Sequence, residues 1–138
     1  VVRMLCAGVV HGDLSEFNIL LAHTPGPGDT PGVDEPVIID LPQAVDAAGN
    51  NHAQRMLLRD VGNLRDFFGQ FAPALLKTDY GPEMWSLYQA GLLGNDTVLT
   101  GHFERAHADV DMIAVLREID DARAEDAARR LRMSLPPA

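Results

Sequence analysis

The sequence predicts an α+β fold, a mainly helical lobe that carries one small β-hairpin near its first residues. Three observations predict it. Short apolar runs rich in β-branched residues, Val9-Val10, Ile19-Leu20-Leu21 and Val37-Ile38-Ile39, all precede Asp40. From about Asn51 onward, apolar residues recur instead at three- and four-residue steps, the period of a helix face. With 138 residues and 46% hydrophobic content, the chain can bury one modest core.

Residues 1–10 read as an apolar, β-branched approach that ends at Gly8-Val9-Val10. After the polar interruption His11-Gly12-Asp13, Asn18-Ile19-Leu20-Leu21 reads as a short strand. The stretch from His23 to Gly32 is almost all turn formers, because proline lacks a backbone donor and glycine loses entropy in regular structure. Val37-Ile38-Ile39 is the second strand and ends on Asp40, so the pair forms a hairpin with a long loop. Leu57, Val61, Leu64, Phe68 and Phe71 give one helix face, with Ala72-Pro73 as its end. Pro82-Glu83 opens a second helix, whose face runs through Met84, Leu87, Tyr88 and Leu92 to Gly94. A charged helix from Val110 to Arg132 closes the chain, with a thinner stripe of Ile113, Leu116, Ile119, Ala127 and Leu131.

Charge and composition narrow the function classes. The net charge is -9, from 20 acidic against 11 basic side chains, which repels phosphate backbones and disfavours direct nucleic-acid binding. No apolar run approaches the roughly 20 residues of a membrane span, and no secretory signal opens the chain, so a cytoplasmic protein is expected. The single cysteine, Cys6, has no internal disulfide partner and suits a reducing compartment. The sequence opens on Val1 in mid-pattern, and the expectation is a portion of a longer protein.

The chemistry concentrates in Val10-His11-Gly12-Asp13-Leu14-Ser15-Glu16-Phe17-Asn18-Ile19-Leu20. Asp13 and Asn18 lie five residues apart on a polar loop between apolar runs, and Asp40 ends the next strand 22 residues after Asn18. Such a set offers one carboxylate to a hydroxyl acceptor and an Asn/Asp pair of hard oxygen ligands to magnesium, which fills its other positions with waters and phosphate oxygens. Phosphoryl transfer asks for this positioning and charge neutralisation rather than covalent help. Spacing, residue type and flanking strands agree.

The segment resembles the catalytic loop of the protein-kinase-like superfamily. Leu14-Ser15-Glu16-Phe17-Asn18, Ile38-Ile39-Asp40-Leu41-Pro42-Gln43-Ala44-Val45 and Leu58-Arg59-Asp60-Val61-Gly62-Asn63-Leu64-Arg65-Asp66-Phe67-Phe68 are similar to the RIO-type atypical serine/threonine protein kinases, in a member of bacterial type. The matches cover residues 8–72. The resemblance implies a mainly helical kinase-like C-lobe over 1–138, with catalytic and metal-binding loops at 8–45 and a helical remainder at 51–133. ATP and Mg2+ are then the implied cofactors. By position, Asp13 is the catalytic aspartate, and Asn18 and Asp40 hold magnesium against the ATP phosphates. In some RIO proteins the aspartate matching Asp40 accepts phosphate itself in an ATPase-like cycle. The resemblance also implies a protein substrate, and a ribosome-related partner by family likeness alone.

Other polar residues have plainer readings. His11 is expected to pack and hydrogen-bond beneath the loop. Asp60, near the start of a helix, either braces the catalytic loop through backbone donors or caps the helix. Ser15 lacks a Ser/His/Asp arrangement and reads as a loop hydrogen-bonding residue. His23, His52, His102 and His107 show no zinc spacing. Trp85, Tyr88 and the phenylalanines sit at helical spacing and read as core.

A kinase also needs a Gly-rich phosphate loop and a strand lysine. The only lysine is Lys77, downstream of Asp40, so the N-lobe is expected upstream of Val1 and the 138 residues alone are expected to lack turnover. Residues 1–10 are then expected to expose an apolar face that self-associates. Two alternatives stay open. One is a small-molecule kinase of the aminoglycoside or choline phosphotransferase type, which shares His-Gly-Asp-Leu but usually continues with His-x-x-Asn and has Ile-Asp-Trp or Ile-Asp-Phe. The other is a non-catalytic kinase-like scaffold.

Overall fold

The structure is a computed structural model that describes residues 1–41 and 44–134. It is α+β. A short helix α1 (Val2–Cys6) leads into strand β1 (Val9–Val10), with Gly8 at φ 81° making the turn that a side-chain-bearing residue would resist. The ribbon β2 (Ile19–Thr24) and β3 (Val33–Ile38) is antiparallel, with Ile19 opposite Ile38 and Leu20 opposite Val37. Strand β4 (Val45–Asp46) returns to pair with β1, Val10 opposite Val45. Three helices follow: α2 (Ala53–Phe68), α3 (Tyr80–Gln89) and α4 (Val110–Ser134).

One core joins the first residues to the helices. Leu5, Val10, Leu57, Leu58, Met84, Trp85, Met112, Val115 and Leu116 are buried together. Arg55 and Arg59 reach Glu118 from α2 to α4 at 3.4 and 3.2 Å, exposed pairs that contribute about 0–1 kcal/mol each. Glu83 in the first turn of α3 accepts the amides of Thr100 and Gly101 at 2.9 and 3.0 Å and the Thr100 hydroxyl, which pins the loop before α4 to that helix. No helix among the described residues is long and apolar enough to cross a membrane.

Several expectations shift. Residues 2–6 are helical rather than extended, because turning Leu5 fully into the core outweighs the β preference of the valines. The ribbon runs beyond the expected strands to Thr24 and back from Val33, shortening the loop to residues 25–32, and the β1–β4 pair was not foreseen. Helix α2 stops at Phe68, before Ala72-Pro73, since the chain folds back so closely that a Cβ on Gly69 would collide with the Leu76 side chain. Helix α3 begins two residues before Pro82 and ends at Gln89, short of Gly94. Leu92 and Leu131, expected on buried faces, are 70% and 64% exposed, because no element among the described residues packs over them.

The apolar face expected on residues 1–10 is also displaced. Leu5 and Val10 are buried, and Val1 and Val2 pack against the core. One group of exposed apolar side chains lies instead on the ribbon and its base: Leu20, Leu21, Val33, Val37, Ile39 and Leu41.

Candidate functional site

Helix α2 grips the loop between β1 and β2 from below. Asp60, the eighth of its 16 residues and 3% exposed, accepts the amide of Gly12 on Oδ2 at 2.8 Å and the amide of Leu14 on Oδ1 at 3.0 Å. Asn63, three residues on and hence on the same helix face, donates its Nδ2 to the Leu14 carbonyl at 3.3 Å. The Leu14 side chain is itself buried. Of the two readings of Asp60, bracing the loop is therefore what the structure has. A cap is excluded because the residue sits in the middle of the helix. Burial raises the Asp60 carboxyl above its ordinary range; the Leu14 and Gly12 amides and His11 oppose this, and the Asp13 charge adds to it. The loop thus rests on a costly buried carboxylate whose two oxygens are both used.

A second set of bonds ties the loop to the residue before Asp40. The Asp13 amide donates to His11 Nδ1 at 3.2 Å, so the proton of this buried imidazole lies on Nε2, which donates to the Ile39 carbonyl at 2.9 Å. The Ile39 amide donates in turn to the Asn18 carbonyl at 2.8 Å. Ile39 is held on both sides, and the backbones of Asp13, Asn18 and Asp40 are joined through it in one short circuit. His11 plays the packing and hydrogen-bonding part expected of it.

The three candidate side chains are presented differently. Asp13 and Asp40 are exposed, and neither carboxylate pairs with another side chain among the described residues. Asp40 sits at φ 63°, the left-handed region that costs a non-glycine residue about 1 kcal/mol or more. Asn18 is buried. Its Oδ1 accepts both the amide and the hydroxyl of Ser15, at 3.0 and 3.1 Å, within a capping box that opens the 3-10 turn Glu16–Asn18. Ser15 is accordingly a loop hydrogen-bonding residue, as its surroundings in the sequence suggest.

The donor set suits magnesium, a hard ion that takes one or two protein oxygens and leaves the rest to waters and phosphates. Asp40 would be the open oxygen for such an ion, and Asn18 would serve only by surrendering one of its Ser15 bonds, for which the hydroxyl can rotate. No three His, Cys, Asp or Glu side chains among the described residues cluster as a metal site. Pro42 and Gln43 of the motif after Asp40 lie outside the described residues. Asn63 is the site residue that sequence reasoning left without a role. Its position three residues after Asp60 on one helix was the available signal.

Known proteins resemble this chain. The family model described as RIO domain matches residues 1–80. A RIO-type serine/threonine-protein kinase Rio1 from Haloferax volcanii is 41% identical over 66 residues, 48% of this chain and 19% of that protein. A probable serine/threonine-protein kinase RIO1 homolog from Encephalitozoon cuniculi is 38% identical over 71 residues, 51% of this chain and 16% of that protein. The crystal structure of the Rio2 kinase-ADP/Mg2+-phosphoaspartate complex from Chaetomium thermophilum superposes with a TM-score of 0.53 at 26% identity, covering 88% of this chain and 37% of that one. The chain spans less than a fifth of the length of the curated relatives it matches.

Proposed function

This chain belongs to the RIO domain family, and from that premise we propose that it is the catalytic-loop half of an ATP- and magnesium-dependent phosphotransferase, a RIO-type protein serine/threonine kinase. The observation that carries the reading is the circuit from the Asp13 amide through His11 and Ile39 to the Asn18 carbonyl. It ties the backbone that carries the exposed Asp13 carboxylate to the backbone that carries Asn18 and leads to Asp40, and phosphoryl transfer relies on such positioning.

Asp13 accepts a hydrogen bond from the acceptor hydroxyl, aims its lone pair, and takes the proton as the hydroxyl oxygen bonds to the γ-phosphorus and the bond from that phosphorus to ADP breaks, releasing ADP. Asp40 and Asn18 supply the protein oxygens for the metal. Magnesium, when bound with ATP, neutralises charge on the phosphate oxygens. Asp60, Asn63 and His11 touch no substrate; they hold the loop still so that orientation is prepaid. In the proposed enzyme the Gly-rich loop and strand lysine come from a lobe outside these 138 residues, whose single lysine is Lys77. The acceptor is a protein hydroxyl.

One observation favours a second reading. The structural neighbour is a phosphoaspartate complex, and Asp40 is exposed and unpaired among the described residues. In an ATPase-like cycle an Asp40 carboxylate oxygen attacks the γ-phosphorus and ADP leaves. Water then hydrolyses the acyl phosphate, releasing phosphate and restoring the carboxylate.

Nucleotide titrations with single-turnover assays, in a protein that joins this chain to its upstream lobe, test the kinase reading. Asp13→Asn is expected to remove most turnover while ATP binding stays nearly intact, and Asp40→Ala to weaken magnesium-dependent nucleotide binding. Full turnover in Asp13→Asn overturns the role given to Asp13. Phosphate recovered on the protein in a hydroxylamine-labile form, absent from Asp40→Ala, selects the ATPase-like cycle.

A further inference from the structure

A groove of about 1130 Å³ opens beside the catalytic loop, between the 3-10 turn Glu16–Asn18, the outer face of α2 and the second half of α4. Its size is the first clue to its occupant. Small-molecule sites run to roughly 300–1,000 Å³ and enclose their ligand. This one is larger and is an open trough, the form that takes a length of extended chain. Phe17 stands on its wall with 81% of its surface exposed, and Phe67 and Leu76 line the same groove. An exposed aromatic of that size is unfavourable in water and gains from a covering side chain.

Charge is the second clue. The groove's arginines are already answered from within it: Arg59 by Glu118 at 3.2 Å, Arg123 by Asp66 at 3.6 Å and Arg130 by Asp126 at 3.0 Å. Glu16, at the catalytic-loop end, pairs with no cation among the described residues. Asp13, three residues before it, is exposed and also pairs with no cation among them. The end of the groove nearest the loop therefore carries uncompensated negative charge on a chain of net charge -9.

We propose that this groove docks the acceptor polypeptide, an extended segment that sets a Lys or Arg against Glu16 and an apolar side chain on Phe17 next to the accepting serine or threonine. The proposal rests on the phosphotransferase reading and adds to it the acceptor's sequence preference. The interaction is electrostatic at the rim and apolar at the wall, so it weakens with salt but is not abolished by it.

Fluorescence anisotropy on the 138-residue chain tests it with two labelled 12-residue peptides. One carries Ser with Arg two positions away and an adjacent Leu; the other has Glu in place of Arg. The Arg peptide is expected to bind at least tenfold tighter. Glu16→Lys is expected to reverse that preference, and Phe17→Ala to weaken the Arg peptide about fivefold or more. Both side chains lie at the surface, and circular dichroism checks that each variant stays folded. Equal affinity for the two peptides, or affinity that neither substitution changes, overturns the proposal. So does full displacement of the Arg peptide by an equimolar small polyamine such as spermine, which makes the groove a small-cation site. Docking that follows Glu16 and Phe17 without phosphoryl transfer to the bound peptide in the lobe-joined protein leaves the groove standing and removes the kinase reading.

Discussion

His11 and Ile39, 28 residues apart in the chain, are joined from imidazole Nε2 to carbonyl oxygen at 2.9 Å. The same ring accepts the Asp13 amide on Nδ1, so one buried side chain sets the distance between the acceptor-side loop and the backbone that leads to Asp40. Truncating it takes the donor from the Ile39 carbonyl and the acceptor from the Asp13 amide, and leaves a cavity where the buried ring was. His11→Ala is expected to cost about 2–4 kcal/mol in urea denaturation and to speed amide exchange at Asp13 and Asp40. His11→Asn keeps one hydrogen-bonding edge and is expected to recover part of the loss. A stability change under about 0.5 kcal/mol in His11→Ala contradicts the bridging role.

Asp60→Ala orphans two backbone donors at once. With roughly 1–3 kcal/mol for each unsatisfied group, the expected loss is about 2–6 kcal/mol, read from the denaturant midpoint at constant m-value. Asp60→Asn leaves one oxygen for two amides but removes a desolvated charge, so it is expected to fall between wild type and Asp60→Ala.

Asp40 separates shape from chemistry. Its left-handed φ of 63° suits glycine. Asp40→Gly is expected to keep stability within about 1 kcal/mol of wild type, while Asp40→Val, β-branched and forced to positive φ, costs about 1–2 kcal/mol or more. Both are expected to lose magnesium-dependent nucleotide binding. Retained binding in the glycine variant would remove Asp40 from the metal site.

Acid should act on two carboxylates in opposite directions. Burial works to raise Glu83, but the Thr100 hydroxyl and the Thr100 and Gly101 amides outweigh it, so its folded pKa lies below the ordinary 4.5. Its contribution to stability is present above that value and is lost as the pH falls through the folded pKa. Asp60, raised above 3.8 by burial, takes up its proton more readily folded than unfolded, so its contribution grows as the pH falls. In denaturant midpoints measured between about pH 6 and pH 3, Glu83→Gln is therefore expected to flatten the acid loss and Asp60→Asn to steepen it. Parallel profiles for all three proteins would show that neither group carries the dependence.

What the sequence made legible follows from how local each signal is. The loop from His11 to Asn18 could be read because its groups sit within one short segment whose spacing constrains them. Asp60 could be read only to a choice of two roles, since bracing depends on which way α2 faces, and that is decided by Leu57 and Leu58 entering the core. Helix α1 and the β1–β4 pair left no trace, because five helical residues or two paired ones are too few to establish a period. Leu92 and Leu131 were misread for the converse reason: periodicity marks a face but not whether anything covers it. Asn63 is legible by the three-residue step from Asp60 along the helix, but as an uncharged residue it carries no chemical signal of its own.

Within one turn of α2, Leu57 and Leu58 lie in the hydrophobic core while Asp60 holds the loop. The same helical turn thus serves as keystone for the greasy interior and clasp for the polar rim. A clasp cut from the keystone cannot open while the arch stands. The loop consequently has no slack state of its own: on warming, the acceptor-side aspartate should keep its orientation until the whole lobe melts, and the protein should lose competence abruptly rather than by degrees.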